Sequence, residues 1–199
     1  MKLPSNTWFH CKHLLDVENP LRLVENFTIN PDYPDGQGLS DYLMSAAFHD
    51  ERYGECRTYL VLDNKTRELA AYFTLRVGFV SRKGILDEQV DHSFDTLSGI
   101  ELVCFAVNHS YVIKHPGMKG FGIVVFNEMI LPIVSEIGLL AGAPILYGYA
   151  VNENKLMDYY VEKCGFLRLP LDLEKVINEK FKPRFDRGCY FIYKIISEN

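Results

Sequence analysis

The sequence has few cysteines, no excess of basic charge and no long hydrophobic run free of polar residues. Its five cysteines are scattered and never form C-x-x-C pairs, which favours reduced, mostly buried thiols in the cytoplasm over a disulfide framework. The net charge of -5 offers no general attraction for nucleic acid or an anionic membrane. The N-terminal stretch MKLPSNTWFHCKH lacks the apolar core of a signal peptide. The most apolar stretch, 123–140, contains Glu128, Pro132 and Glu136. We therefore expect a cytoplasmic protein with no membrane partner.

A metal site is not expected either. Cys11 and His13 are spaced closely enough to be two ligands, but no second ligand pair follows, which favours ordinary packing. The length of 199 residues and the contents of 48% hydrophobic and 24% charged residues are typical of one globular domain. Because no internal repeat or linker-like segment divides the chain, we predict a single domain over residues 1–199.

Hydrophobic patterning predicts an α/β protein with the element order α, β, β, β, α, β, α, β, β after an irregular segment, 1–35. Residues 100–107 form a nearly continuous apolar run that only Glu101 interrupts, which is typical of a strand buried on both faces. A second apolar strand is predicted at 144–151. Because the long helix 122–140 crosses over between these strands, they should pair in parallel within a mixed, mostly antiparallel sheet.

Smaller predictions concern the connecting segments. Residues 108–116 have the polar character of a long loop, and residues 166–170 resemble a strand. Pro132 lies inside the long helix and predicts a kink near 128–132, because proline lacks an amide hydrogen and clashes with the preceding turn. Residues 171–187 are a predicted polar, helical insertion.

Three glycines, Gly117, Gly120 and Gly122, lie between the first buried strand and the long helix. A glycine-rich turn at a helix N-terminus can bind an anion, because its amides turn towards the ligand and the helix dipole favours negative charge. A dinucleotide fingerprint starting at Gly120 would need a small residue at Val125, and a P-loop would need Gly-Lys-Ser/Thr. Neither is present, and the remaining G-x-x-G-x-G pattern also fits a strand-to-helix turn that binds no ligand.

Three segments resemble the GNAT acyltransferase superfamily over roughly residues 37–196. IELVCFAV followed by GMKGFG is similar to the strand and glycine turn of its acyl-CoA motif. ILYGYAVNENKLMDYYVEKCGF is similar to the next strand and helix, and the helix and hairpin upstream resemble GNAT toxin-like acetyltransferases. The resemblance implies the GNAT fold, in which the central parallel strands 100–107 and 144–151 splay apart, and implies acetyl-CoA as co-substrate.

The resemblance also implies where acetyl-CoA binds. Its pantetheine arm would lie between Phe105–Val107 and Gly148–Ala150, and its pyrophosphate would lie on the amides of the glycine turn. The implied coenzyme-binding residues are Phe105, Ala106, Val107, Met118, Lys119, Gly120, Phe121, Gly122, Ile123 and Asn154. Asn154 could instead cap its helix. Gly117 stands where the motif usually has glutamine or arginine, and the charges of Lys114 and Lys119 are candidates to compensate.

Two catalytic residues are implied, Glu101 and Tyr160. Glu101 precedes FAV at the spacing of the catalytic glutamate in the histone-acetyltransferase branch, so it is the candidate general base. The alternative is an acid that is solvated at the strand's start or paired with an arginine. Many members have a proton-donating tyrosine four residues before the final glycine, where this chain has Val161. Tyr160 is the neighbouring candidate acid, and core packing or coenzyme stacking is its alternative role.

These residues predict an N-acetyltransferase that transfers an acetyl group from acetyl-CoA to a primary amine by direct attack. A small-molecule or peptide amine is the expected acceptor, and the exposed strand edges at the C-terminus suggest a homodimer. Two alternatives stay open. One is a toxin-like acetyltransferase acting on aminoacyl-tRNA, the only nucleic acid considered, and the other is a catalytically weak CoA-binding regulatory module.

Overall fold

The computed structural model describes residues 2–33, 36–83, 85, 94–118, 120–180 and 188–196. Six strands form one sheet in the order β1-β2-β3-β4-β5-β6, so neighbours in the sheet are also neighbours in the sequence. The strands are β1 Phe9–His13, β2 Arg57–Asp63, β3 Leu69–Ser81, β4 Thr96–Val107, β5 Ile145–Ala150 and β6 Tyr190–Ile195. The α-helices are α1 Pro20–Val24, α2 Gln37–Met44, α3 Ala46–Tyr53, α4 His109–Lys114, α5 Phe121–Val125, α6 Leu131–Ala141, α7 Asn154–Asp158 and α8 Leu171–Lys180.

The predicted parallel pair is confirmed. Strands β4 and β5 run parallel, with a ladder that extends from the Gly99–Ile145 pair to the Leu102–Gly148 pair. The pairs β1–β2, β2–β3 and β5–β6 are antiparallel. The sheet is therefore mixed and mostly antiparallel, as the sequence predicted.

Two strand predictions are wrong. Residues 1–35 are not all irregular, because β1 pairs with β2 and alternates buried Phe9 and Cys11 with more exposed neighbours. The predicted strand 166–170 is reduced to one bridge between Leu167 and Tyr193. The chain leaves the sheet there because Pro170 starts a helix: its carbonyl accepts the amides at the beginning of α8.

The predicted loop over residues 108–116 is largely helix α4. Its N-cap is Asn108, whose side chain accepts the amide of Ser110 and donates to the carbonyl of Leu69 at 2.7 Å. Tyr111 is buried, and its hydroxyl donates to Asp63 at 2.6 Å. These contacts tie the segment to β2 and β3, which its sequence periodicity could not reveal.

The long helix spans Phe121–Ala141 and contains α5, a π-helical turn Phe126–Ile130 and α6. Where Pro132 predicted a kink, the helix has this π turn, in which the amide of Leu131 donates to the carbonyl of Phe126. By length and composition the helix could cross a membrane, with a mean hydropathy of 1.9 in its most apolar window. Core helices pass the same test, and one face of this helix is buried: Phe126, Met129, Ile130, Ile133 and Val134.

The chain divides into two compact units. Unit 1 comprises Met1–Arg76 and Val103–Ile133, and unit 2 comprises Val77–Leu102 and Val134–Asn199. The core of unit 1 includes Leu14, Phe27, Leu43, Leu60, Tyr72, Cys104 and Ala106. The core of unit 2 includes Val80, Leu97, Ile145, Tyr147, Leu169, Ile177, Phe191 and Tyr193. The single domain over 1–199 stays a prediction.

Candidate active site

Glu101, the predicted general base, lies in the middle of β4 within unit 2 and is 3% exposed. Its partner across the parallel ladder is Tyr147 of β5. The hydroxyl of Tyr147 donates a hydrogen bond to Glu101 Oε2 at 3.2 Å. The alternative of a solvated acid at the strand's start is therefore wrong, because β4 begins at Thr96 and the Glu101 side chain is buried.

The ring of Tyr147 lies over two glycines that leave room for it. A Cβ atom on Gly78 of β3 would be 2.2 Å from Tyr147 Oη, and one on Gly99 of β4 would be 3.0 Å from ring atoms Cδ1 and Cε1. Sequence reasoning missed this contact. The available signal was two glycines, Gly99 directly before the predicted strand 100–107 and Gly78 within an apolar stretch, because a glycine in a strand often marks the close approach of another group.

The β4–β5 ladder ends at Leu102 and Gly148, although β5 itself continues to Ala150. A small cavity of about 20 Å³ opens at this point and is lined by Leu102, Gly148, Tyr149, Ala150, Tyr160, Phe166 and Ile192. That volume exceeds the roughly 10–15 Å³ that one water requires. A Cβ atom on Gly148 would be 3.0 Å from the carbonyl oxygen of Leu102, so the glycine permits close approach of the two backbones.

Tyr160 lies at this cavity, whereas Val161 is 41% exposed. The reason is a π-helical turn over Tyr159–Lys163, in which the amide of Cys164 donates to the carbonyl of Tyr159. A π turn bonds residues five apart instead of four. The α-helical spacing of four residues before Gly165 therefore gives Val161, whereas the π-helical spacing of five residues gives Tyr160. Its ring also packs edge-on against Phe166, with centroids 5.5 Å apart.

The glycine turn lies in unit 1, where the long helix begins at Phe121. Gly120 immediately before it has φ 74°, a left-handed conformation that favours glycine. The amides of Met118, Phe121 and Ile123 donate to backbone carbonyls at distances of 3.0 to 3.2 Å. A phosphate bound here would compete with those carbonyls for the amides. Lys119 lies outside the described residues.

Lys114 and His115, which precede the turn, are both bonded to Glu68. Lys114 Nζ lies 2.6 Å from Glu68 Oε1, and His115 Nε2 lies 3.2 Å from Glu68 Oε2. The hydrogen bond from Lys114, followed by that from His115, lowers the pKa of Glu68. The charge of Lys114 is thus already compensated in this conformation. A Cβ atom on Gly117 would meet nothing within 4 Å, so a larger side chain fits there.

The remaining predicted coenzyme residues lie at the end of β4 and the start of α7. Ala106 is buried in the core of unit 1, whereas Phe105 and Val107 are half-buried on the opposite face of the strand. Asn154 is the first residue of α7 and is exposed, and Glu153 is the N-cap. The capping role considered for Asn154 is therefore wrong, while its role towards pantetheine stays a prediction.

None of the five cysteines forms a disulfide, and four are buried, which confirms the prediction of mostly buried thiols. Burial raises the pKa of Cys11 to about 12 and is the main cause that raises the pKa of Cys164 to about 11. Such thiols are poor nucleophiles, because the thiolate is the reactive form. Within the described part of the chain, no three His, Cys, Asp or Glu side chains group together as metal ligands.

No protein-family model and no curated protein sequence matches this chain. Solved structures do match its fold. A tyrosine-to-phenylalanine mutant of KacT has a TM-score of 0.67 at 13% identity, with 96% of each chain covered. A mutant AtaT toxin bound to the C-terminus of the antitoxin AtaR and acetyl-CoA has a TM-score of 0.60 at 15% identity, covering 94% of this chain and 93% of that chain.

A third match is AtaT complexed with acetyl-methionyl-tRNAfMet, with a TM-score of 0.61 at 16% identity, covering 87% of this chain and 99% of that chain. At these identities the likeness concerns the fold. It agrees with the parallel β4–β5 pair and the helices around the sheet. The chain therefore has the GNAT fold, which it shares with KacT and the toxin AtaT.

Proposed function

We propose that this protein is an N-acetyltransferase that transfers the acetyl group of acetyl-CoA to a primary amine. The observation that carries this proposal is the cavity at the end of the β4–β5 ladder, where Tyr160 lines the wall beside Leu102 and Gly148. A tyrosine there can give a proton to the departing thiolate of CoA. The GNAT fold and the structural neighbour that contains acetyl-CoA support the choice of co-substrate.

In the proposed reaction, Glu101 takes a proton from the substrate ammonium, directly or through water. The neutral amine then attacks the thioester carbonyl, so that a C–N bond forms as the C–S bond breaks. Tyr160 protonates the CoA thiolate, and the second proton lost from the nitrogen restores the tyrosine hydroxyl. Backbone amides of β4 are the proposed donors to the oxyanion. Together these steps consume one acetyl-CoA and release CoA and one proton.

Acetyl-CoA is proposed to lie along the residues that the sequence resemblance implies. The pantetheine arm would contact Phe105, Val107 and Asn154, of which the first two are half-buried and the last is exposed. The pyrophosphate would take over the amides of Met118, Phe121 and Ile123 from their present carbonyl acceptors. Because the turn lacks the usual glutamine or arginine at Gly117, we expect weaker binding than the full motif would give.

Aminoacyl-tRNA is the acceptor that one observation favours. The match to AtaT complexed with acetyl-methionyl-tRNAfMet covers 87% of this chain, and other matched structures are toxins bound to an antitoxin. The α-amino group of an aminoacyl-tRNA is a primary amine, so the same chemistry serves it. We therefore propose this acceptor ahead of a small-molecule or peptide amine, together with a location in the cytoplasm. The net charge of -5 implies that contacts to tRNA would be local.

The test is CoA release from acetyl-CoA in the presence of bulk aminoacylated tRNA, uncharged tRNA, or a panel of polyamines and peptides. We expect release with charged tRNA only, and mass spectrometry should find an N-acetylated aminoacyl ester. CoA release with polyamines or peptides instead would indicate that the acceptor is a small-molecule or peptide amine. Acetyl-CoA binding without release in any arm would favour the CoA-binding module.

Variants test the catalytic residues. Glu101→Gln and Tyr160→Phe should each lower kcat by roughly 100-fold while the KM for acetyl-CoA stays nearly constant, because each acts on protons in the reaction. Val161→Ala is the matched control, since Val161 is exposed beside Tyr160. An unchanged kcat in Glu101→Gln would refute the role of Glu101 as general base. An unchanged kcat in Tyr160→Phe would refute the role of Tyr160 as general acid.

A further inference from the structure

We propose that Tyr147 is a positioning residue for Glu101, an inference that rests on the proposed function because it assigns a task to the proposed base. Tyr147 lies opposite Glu101 in the parallel ladder, and its hydroxyl donates to Glu101 Oε2 at 3.2 Å. Both side chains are buried, at 4% and 3% exposure. A donor held against a buried carboxylate restricts the rotation of that carboxylate.

The position of the hydroxyl is itself held from two sides. The ring spans β4 above Gly99, and the hydroxyl reaches β3 above Gly78, where any Cβ atom would be 2.2 Å away. Phe191 on β6 also packs against the ring, with centroids 6.0 Å apart. The ring therefore has little freedom to turn, and Tyr147 presents its hydroxyl to Glu101 in one orientation.

Packing alone would not require a tyrosine at this position. Residue 147 belongs to the apolar cluster of unit 2, where phenylalanine would fill the same space with no hydroxyl to satisfy. The hydroxyl has a use only if a polar partner is present, and Glu101 is such a partner. A buried acid in turn requires donors. The pair is thus built for a carboxylate in a defined orientation, which is what a general base needs.

The experiment compares Tyr147→Phe with a matched control, Tyr193→Phe. Tyr193 lies beside Tyr147 on β6, in the same cluster and buried, and its loss also removes one hydroxyl. Transfer from acetyl-CoA to charged tRNA is measured by CoA release. We expect Tyr147→Phe to lower kcat about tenfold, with an unchanged KM for acetyl-CoA, because one hydrogen bond to a charged group is lost. Tyr193→Phe should leave kcat unchanged.

A double-mutant cycle separates positioning from a merely structural role. If Tyr147 acts through Glu101, then Tyr147→Phe should have almost no further effect on kcat in a Glu101→Gln background. Equal fold-losses in both backgrounds would overturn the proposal, as would an equal loss in Tyr193→Phe. If Glu101→Gln abolishes transfer while Tyr147→Phe does not slow it, Glu101 is supported as the general base, but the positioning role of Tyr147 is refuted. No transfer by the wild type with any acceptor would overturn the proposed function, and this inference with it.

Discussion

Gly78 and Gly99 leave a slot that the ring and hydroxyl of Tyr147 occupy. This glycine slot leads to a prediction about stability that can be tested without substrate. Replacing Gly78 by alanine would put a methyl group 2.2 Å from Tyr147 Oη, far inside van der Waals contact. The ring also packs against Phe191 of β6, with centroids 6.0 Å apart, which limits its retreat. Overpacking of this kind costs about 1–3 kcal/mol, and displacing the hydroxyl from Glu101 adds to that cost. We expect Gly78→Ala to lower the free energy of unfolding by about 2–4 kcal/mol.

The same substitution should be almost harmless once the hydroxyl is gone. In Tyr147→Phe the nearest remaining atom to the new methyl group is Cζ at 3.4 Å, an ordinary contact distance. Gly78→Ala should then cost less than about 0.5 kcal/mol in the Phe background. Urea denaturation of the wild type, both single variants and the double variant measures the difference. Gly38→Ala is the control, because a Cβ atom there meets nothing within 4 Å.

If Gly78→Ala lowers the free energy of unfolding equally in the two backgrounds, the predicted clash with the Tyr147 hydroxyl is refuted, because the methyl group would then clash with something else. If the double variant regains stability but not transfer, packing and positioning are separated in one set of proteins. The Phe substitution would relieve the clash without restoring the donor to Glu101.

Four shorter predictions follow. Gly148→Ala should raise the KM for acetyl-CoA several-fold, because its Cβ atom would lie 3.0 Å from a carbonyl oxygen of β4 at the ladder end. Gly117→Arg should lower that KM in a radioligand or kinetic titration, because the position is open and arginine pairs well with phosphate. The Glu68→Gln variant should be less stable than wild type at pH 7, but the difference should vanish at low pH. The reason is that the pKa of Glu68 is lowered by Lys114, so the stabilisation is complete above its unfolded value and is lost as pH falls through the lowered one. In native protein a disulfide reagent should react with the half-buried Cys189 and reach the four buried thiols only after denaturation, as absorbance reports.

Much of the fold could be predicted because it depends on local pattern. The apolar run around Glu101 is long enough to define a buried strand, and the helix that follows it forces the next strand to be parallel. Those two features predicted the parallel pairing of β4 and β5. The loop predicted after the first strand was wrong for an equally physical reason. Its helix α4 depends on Asn108 and Tyr111, whose partners lie in β2 and β3.

By itself, the sequence determined the parallel strand pair, the glycine turn and the resemblance that suggests acetyl-CoA. Only the tertiary structure decided which tyrosines lie near the ladder end and Glu101. Tyr160 lines the cavity there, in a π turn, and hydrogen-bond spacing within a helix is not visible in residue type. Tyr147 meets Glu101 because the strand register aligns two residues that are 46 positions apart. Alternating side chains predict the face of a strand, but register comes from the packing of the whole sheet.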